Sequence, residues 1–170
     1  EFSNNSINSG ESSIYINLTN YLPSEYNDIL RGNTYDNYIE LLGTFQNDFD
    51  FPKSNYTLSE AIDIPKDVNV KFAAGSRILA ALTGLSVTVQ GTLNCVGTSS
   101  NPILFTSIND PTIEDGKSIT YWAGINSKAY SNLTFDYVQI RYASTPIKSG
   151  GEIKLTNSIL EESSSYGVYI

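Results

Sequence analysis

The segment "NDPTIEDG" (residues 109–116) holds three carboxylates, Asp110, Glu114 and Asp115, in a stretch with the composition of a loop. Carboxylates and loop carbonyls are the hard oxygen donors that Ca2+ takes, so these three residues are the candidate cation ligands and Ca2+ is the one cofactor suggested. The segment lacks the fixed ligand spacing of an EF-hand, and it reads equally as a solvated acidic loop inserted between structural units. Asp48 and Asp50 in "NDFDF" would alternate onto one side of an extended segment, and Glu161 and Glu162 are adjacent. Arg141 in "QIRYAS" and Lys154 in "EIKLTN" are the candidate bases, or else surface charges that break up strand faces.

A second chemistry resides in the tyrosines. Tyr121, Tyr130, Tyr137, Tyr142, Tyr166 and Tyr169 crowd the C-terminal half, together with Trp122. Rings with polar tips suit sugar stacking and protein interfaces, which makes Tyr137, Tyr142 and Tyr130 the candidate ligand-binding residues. Trp122 reads as structural.

Composition removes other chemistries. The chain has no His and a single Cys, which excludes Ser-His-Asp triads, Cys-His dyads, His-ligated metals and an internal disulfide. Cys95 falls two residues after Leu93 on the same strand face and reads as a small buried hydrophobe. A net charge of -8 and the absence of a basic cluster argue against nucleic acid and anionic membrane surfaces. No apolar run approaches the about 20 residues of a transmembrane helix. With 40% hydrophobic and 16% charged residues, the 170-residue chain has the composition of one folded domain with a real core. Asn-x-Ser/Thr sequons stand at Asn4, Asn17, Asn55 and Asn132, and matter only in a source that glycosylates asparagine.

The elements that would position these residues are short. Residues 1–13 read as a flexible leader, and "SIYINLTNYL" (residues 13–22) as a strand. "PSEYNDILRG" predicts one short helix over residues 24–30, with Ser24 as N-cap and Gly32 as stop. From Tyr56 onward the pattern is a succession of short strands with period-two alternation, punctuated by Gly, Asn, Ser or Pro.

Many short strands fit a sandwich, a barrel or a solenoid. "SNLTFDYVQI" overlays on "GGEIKLTNSIL" so that Leu133 meets Ile153 and Phe135 meets Leu155, an offset of 20 residues. That offset is one coil of a stacked repeat. Hairpin turns of the Asn-Gly type are absent, and Asp115-Gly116 is the one Asp-Gly pair. A parallel solenoid is therefore expected, with Val70, Phe72, Val87, Val89, Leu93, Ile103, Phe105, Ile125, Leu133, Phe135, Ile153 and Leu155 pointing inward.

The steps "IP-x-x-V" (Ile64, Pro65, Val68), "x-G-x-x-I" (Gly75, Ile78) and "V-x-G-x-L" (Val89, Gly91, Leu93) follow one another in order. "N-P-I-x-F-T-S" (residues 101–107) and "W-x-G-I" (residues 122–125) come next. This succession resembles the right-handed parallel β-helix, pectate-lyase-like repeat proteins of cell surfaces. The resemblance covers residues 43–170 and leaves residues 1–42 as a leader and an N-terminal cap that holds the short helix. It implies an all-β, right-handed parallel β-helix, secreted or displayed at the cell surface. The fold hosts lyases, polygalacturonases and adhesins, so it does not itself choose an activity. The adjacent Asp pair and His-Gly step of the polygalacturonases are missing, as are pectate-lyase signatures, so no catalytic residue carries over.

The expected role is non-enzymatic: a structural or adhesive module that presents a polar, Tyr-rich face to carbohydrate or to another surface protein. The alternatives are a polysaccharide lyase or hydrolase, and a self-assembling subunit joined through open coil ends. "SSYGVYI" runs to Ile170 as an apolar strand pattern, so a further coil of a longer chain or another subunit is expected to cover that end.

Overall fold

The period-two alternation predicted over "NVKF", "SVTV" and "TLNCV" suits a pleated strand with one buried face, and exposed and buried residues do alternate along these segments. The computed structural model of the protein describes residues 4–9, 12–20, 30–35 and 37–170. Strand accounts for 53% and helix for 2%, so the fold is all-β, built of parallel strands in curled sheets in the manner of a half-barrel. Among the described residues no helix is long and apolar enough to cross a membrane.

The strands are β1 (Ser6–Ile7), β2 (Ser12–Asn17), β3 (Thr34–Tyr35), β4 (Tyr38–Thr44), β5 (Phe49–Phe51) and β6 (Asn55–Ile64). They continue as β7 (Asn69–Phe72), β8 (Arg77–Ala80), β9 (Ser86–Val89), β10 (Thr92–Val96), β11 (Ile103–Ser107) and β12 (Gly124–Ser127). The last are β13 (Asn132–Asp136), β14 (Val138–Arg141), β15 (Ile147–Ser149), β16 (Glu152–Thr156), β17 (Ile159–Glu161) and β18 (Val168–Tyr169).

From β7 onward, strands three apart in the chain pair side by side. β5, β7, β10, β13 and β16 make a five-stranded parallel sheet. The larger sheet forks at β6. Its first half, from Asn55 to Leu58, pairs with β8, and the row continues through β11, β14 and β17. Its second half, from Ile62 to Ile64, pairs with β9, and that row continues through β12, β15 and β18. From β7 onward the chain thus visits the three rows in turn, one strand in each, and each such pass is a circuit.

The overlay read from sequence is the observed register: Leu133 pairs with Ile153 and Phe135 with Leu155. From Leu93 to its partner Leu133 the interval is 40 residues instead of 20, chiefly because residues 108–121 are inserted between β11 and β12 and because residues 97–102 join β10 to β11 where Tyr137 alone joins β13 to β14. Ten of the twelve residues expected inward are buried, from Val70 through Phe135. Ile153 is partly buried and Leu155 is 37% exposed, since β16 pairs only with β13 and no layer covers its far side.

The core is a stack of rings. Phe51, Phe72, Cys95 and Phe135 occupy one column of register partners. Phe51 and Phe72 stack at 4.7 Å. Cys95 is small, and Phe105 from the adjoining row reaches both Phe72 (6.0 Å between centroids) and Phe135 (6.3 Å) on either side of it. Edge and stacked contacts of this kind add about 0.5–1.5 kcal/mol per pair beyond the area they bury.

Two glycines are required by close approach. A Cβ on Gly124, at φ +101°, would meet the Thr145 carbonyl oxygen of the next circuit without room for a methyl group. A Cβ on Gly91 would meet the carbonyl oxygens of Val68 and Pro65.

The structure differs from expectation near the N-terminus. Ser6–Ile7 pairs with β3, and β2 begins at Ser12, within the stretch read as a leader. β4 crosses the boundary drawn between residues 42 and 43 and pairs with both halves of β6, and β2 pairs with β4. Ile39 and Leu41 are buried and align with Tyr56 and Leu58, so the parallel stacking extends upstream of Gly43. The helix predicted over residues 24–30 and its Ser24 cap lie outside the described residues except at the end, where residues 30–32 are helical and Leu30 is buried.

Candidate functional site

In-register parallel pairing lines up residues of like position, and outward positions of a sheet become rows along the stacking direction. On the five-stranded sheet one row runs Asn69, Thr92, Asn132, Glu152. The next runs Asp50, Lys71, Asn94, Thr134, Lys154. Spacing is about 4.8 Å between strands and about 6.7 Å between alternate residues of a strand, a flat lattice of short polar side chains. The Asp48 carboxylate accepts from the Asn69 backbone N–H (2.8 Å) and side-chain amide (3.2 Å). Asp50 pairs with Lys71 at 3.3 Å. Each aspartate of "NDFDF" is therefore engaged by the neighbouring strand, Asp48 by Asn69 and Asp50 by Lys71.

The lattice contains a shallow depression of about 270 Å³ lined by Arg31, Asp50, Lys71, Ala73, Asn94 and Val96. Arg31 closes its rim by donating to the Asp50 carbonyl at 3.3 Å. The side-chain oxygen of Asn94 is buried there and has no hydrogen-bond donor among the described residues.

The residues read as cation ligands have separate fates. Asp110 is fully buried, and its carboxylate accepts from Thr106 Oγ1 (2.9 Å), the Thr112 backbone N–H (2.8 Å) and Thr112 Oγ1 (2.7 Å). It ties the inserted loop onto the sheet. Glu114 is exposed and pairs with Lys117 at 3.3 Å, and Asp115 is exposed. Among the described residues no three His, Cys, Asp or Glu side chains are grouped to hold a metal. The segment is a loop between β11 and β12 with one buried and two exposed carboxylates.

The three tyrosines also separate. Tyr130 is 94% exposed and stands just ahead of β13, at the margin of the polar lattice. Tyr137 is half-buried and is the single residue between β13 and β14, with φ +50°. Tyr142, just after β14, has φ +48° and is buried, its ring 6.3 Å from that of Tyr121. Burial, with the carboxylates of Asp110 and Glu162 nearby, pushes the Tyr142 phenol up. Tyr142 is thus a corner and packing residue and presents no open ring. In the next circuit Asn157 and Glu162 take the same left-handed conformation at the equivalent corners.

Arg141 is held by Glu161 of the next circuit (Nε to Oε1, 2.6 Å) and donates to Thr112 Oγ1 and Gln139 Oε1. Lys154 is exposed at the end of its row. Trp122 is buried and donates to the Arg141 carbonyl at 3.0 Å, the structural role expected of it. Cys95 is buried, and desolvation pushes its thiol far up, which makes it inert. Asp136, at the lattice edge, accepts from Asn157 Nδ2 and Thr156 Oγ1, both at 2.8 Å, and these donors hold its carboxyl below the usual range.

The lattice residues Asn69, Thr92, Asn94, Asn132 and Thr134 were not singled out from sequence as binding residues, Asn132 being noted only as a sequon. The signal was present, since they are the polar alternates of strands that overlay in register. Comparison of the chain with protein-family models, with curated proteins and with solved structures finds no match.

Proposed function

We propose that the protein is a right-handed parallel β-helix whose five-stranded sheet is a non-enzymatic recognition face for carbohydrate at or outside the cell surface. The observation that carries this reading is the alignment of Asn69, Thr92 and Asn132 beside Lys71, Asn94 and Thr134 in two adjacent rows. A periodic, rigid array of amides and hydroxyls suits a periodic ligand with matching hydroxyls. Each such hydrogen bond contributes only about 0.5–1.5 kcal/mol net, so affinity accumulates over many contacts. The array is set by backbone pairing and needs little ordering when the ligand arrives. Tyr130 at the margin offers an exposed ring for stacking on a sugar. The unsatisfied Asn94 oxygen in the depression suits a hydroxyl donor.

Glycan-array binding followed by titration calorimetry tests the reading. Thr134→Arg, in the middle of the lattice, should weaken binding at least tenfold while leaving the unfolding midpoint within a degree or two. Undiminished binding by that variant, or no glycan bound by the parent, would refute it. A crystal structure checks the handedness directly.

A further inference from the structure

The corner that joins the two sheets carries a second site. Lys53, Gly75 and Asn101 stand at this corner in three successive circuits. The absent side chain of Gly75 brings the Lys53 stem and the Asn101 Cβ to either side of it, at 3.0 and 3.4 Å from where a Cβ would lie. Beside the corner, Arg77, Leu104 and Gln139 form an outward row of register partners on β8, β11 and β14. Thr112 and Ile113 of the inserted loop, with Arg141, make the opposite wall. Together they enclose a groove of about 450 Å³. A further depression of about 320 Å³ shares Lys53 and Gly75 and continues it toward Thr34 and Tyr35.

The groove is electrostatically at odds with the rest of the chain. The protein carries a net charge of -8 with only ten Lys and Arg, yet three of those ten line this one groove. Arg141 is fixed by Glu161. Lys53 and Arg77 are exposed, and no ion pair engages either one among the described residues. Two uncompensated cations one circuit apart, in a concave surface, focus a positive potential along it. Ser100, Asn101, Thr112 and Gln139 add hydroxyls and amides, and Pro102, Leu104 and Ile113 add apolar patches. That mixture suits a sugar ring with its hydroxyl edge and C–H face. An extended peptide would seek a free strand edge, and β8 and β11 are paired on both sides.

We propose that this groove binds an oligosaccharide bearing oxyanions, carboxylate or sulfate, with Lys53 and Arg77 as the charge-reading residues and Arg141 as an anchored third donor. The site lies on a different face from the Asn and Thr lattice and stands or falls separately from it. The test is titration calorimetry of the whole chain with three hexasaccharides: a carboxylated hexuronate, a sulfated glycosaminoglycan hexamer and a neutral xylohexaose. At least one anionic hexamer should bind, and its Kd should weaken at least threefold between 50 and 300 mM NaCl. Which of the two binds tells carboxylate from sulfate. Lys53→Gln with Arg77→Gln should cost at least tenfold, with an unchanged circular dichroism spectrum, whereas Thr134→Arg should cost nothing here. Because both residues are exposed, a folding defect is not expected, and Ser100→Asp, which adds a negative charge at an exposed position of the groove lining, gives an independent loss. Failure of both anionic hexamers to bind would overturn the proposal, as would equal binding of xylohexaose or binding that survives the double variant. Tighter binding of hexaglutamate than of either anionic sugar would overturn the assignment to a saccharide.

Discussion

Gly124→Ala examines the stacking of one circuit on the next at its tightest point. The new Cβ would collide with the Thr145 carbonyl oxygen. An ordinary C···O approach is about 3.3 Å or more, so the two circuits must part locally. The nearest ladder bonds are Ile125 N–H to Pro146 O at 3.0 Å and Thr145 N–H to Ala123 O at 3.3 Å, and neither tolerates that shift. Losing both costs about 1 kcal/mol each, and a side chain at φ +101° adds about 1–2 kcal/mol, for a total of about 3–4 kcal/mol. Gly84→Ala is the internal control. Gly84 has φ +75° but open space around its Cβ position, so only the conformational term of about 1–2 kcal/mol applies. Urea unfolding followed by far-ultraviolet circular dichroism gives both values. Equal destabilisation by the two variants would refute the close approach of the circuits at Gly124.

Other expectations follow from the same architecture. Phe135→Ala should cost about 3–5 kcal/mol, whereas Leu155→Ala, its register partner one circuit on and 37% exposed, should cost under about 1 kcal/mol in the same denaturation assay. Tyr137→Asn should raise the unfolding midpoint, because asparagine tolerates the left-handed conformation that tyrosine adopts there at a cost of about 1 kcal/mol. Asp136 has a folded pKa below its unfolded one, so its contribution is present above the unfolded value of about 3.9 and is lost as pH falls through the folded value. Asp136→Asn should therefore make the stability profile shallower below about pH 4, as measured by thermal melts across pH. An identical profile would mean that the Thr156 and Asn157 contacts do not favour the ionised carboxylate in the folded protein, and would refute the prediction.

The parts legible in the sequence were those in which one physical rule acts alone. Leu133 over Ile153 and Phe135 over Leu155 could be read off because strand alternation and a 20-residue interval agree there. Residues 38–42 read as extended, as β4 is, but its pairing could not be read, because "YIELLGT" buries residues without clean alternation and its register with β6 shifts between Leu41 and Gly43. Tyr142 was misread because residue type favoured an exposed ring, while position, the one residue after a strand at a corner, favoured a conformational role. The overlay that set Phe135 on Leu155 also sets Tyr137 on Asn157, and asparagine at the partner position is the signature of a left-handed corner. Asp110 carried a comparable local signal. An aspartate followed two residues later by Thr112 is an Asx-turn pattern, and Thr112 donates to that carboxylate through both its N–H and its Oγ1. The groove at Lys53 and Arg77 was not legible, because its wall is supplied by the inserted loop and its floor by three separate circuits.

The unequal circuits have a mechanical consequence. Ladder hydrogen bonds run along the stacking direction, so traction applied to the chain ends in that direction loads one rung at a time and peels the protein in discrete releases. A 20-residue circuit, as between Leu133 and Ile153, yields about 66–72 Å of extended chain. The circuit that carries residues 108–121 spans 40 residues and yields about twice as much. In a single-molecule extension record that one release would stand out by its length, a built-in ruler mark that locates the inserted loop within the sequence of rupture events.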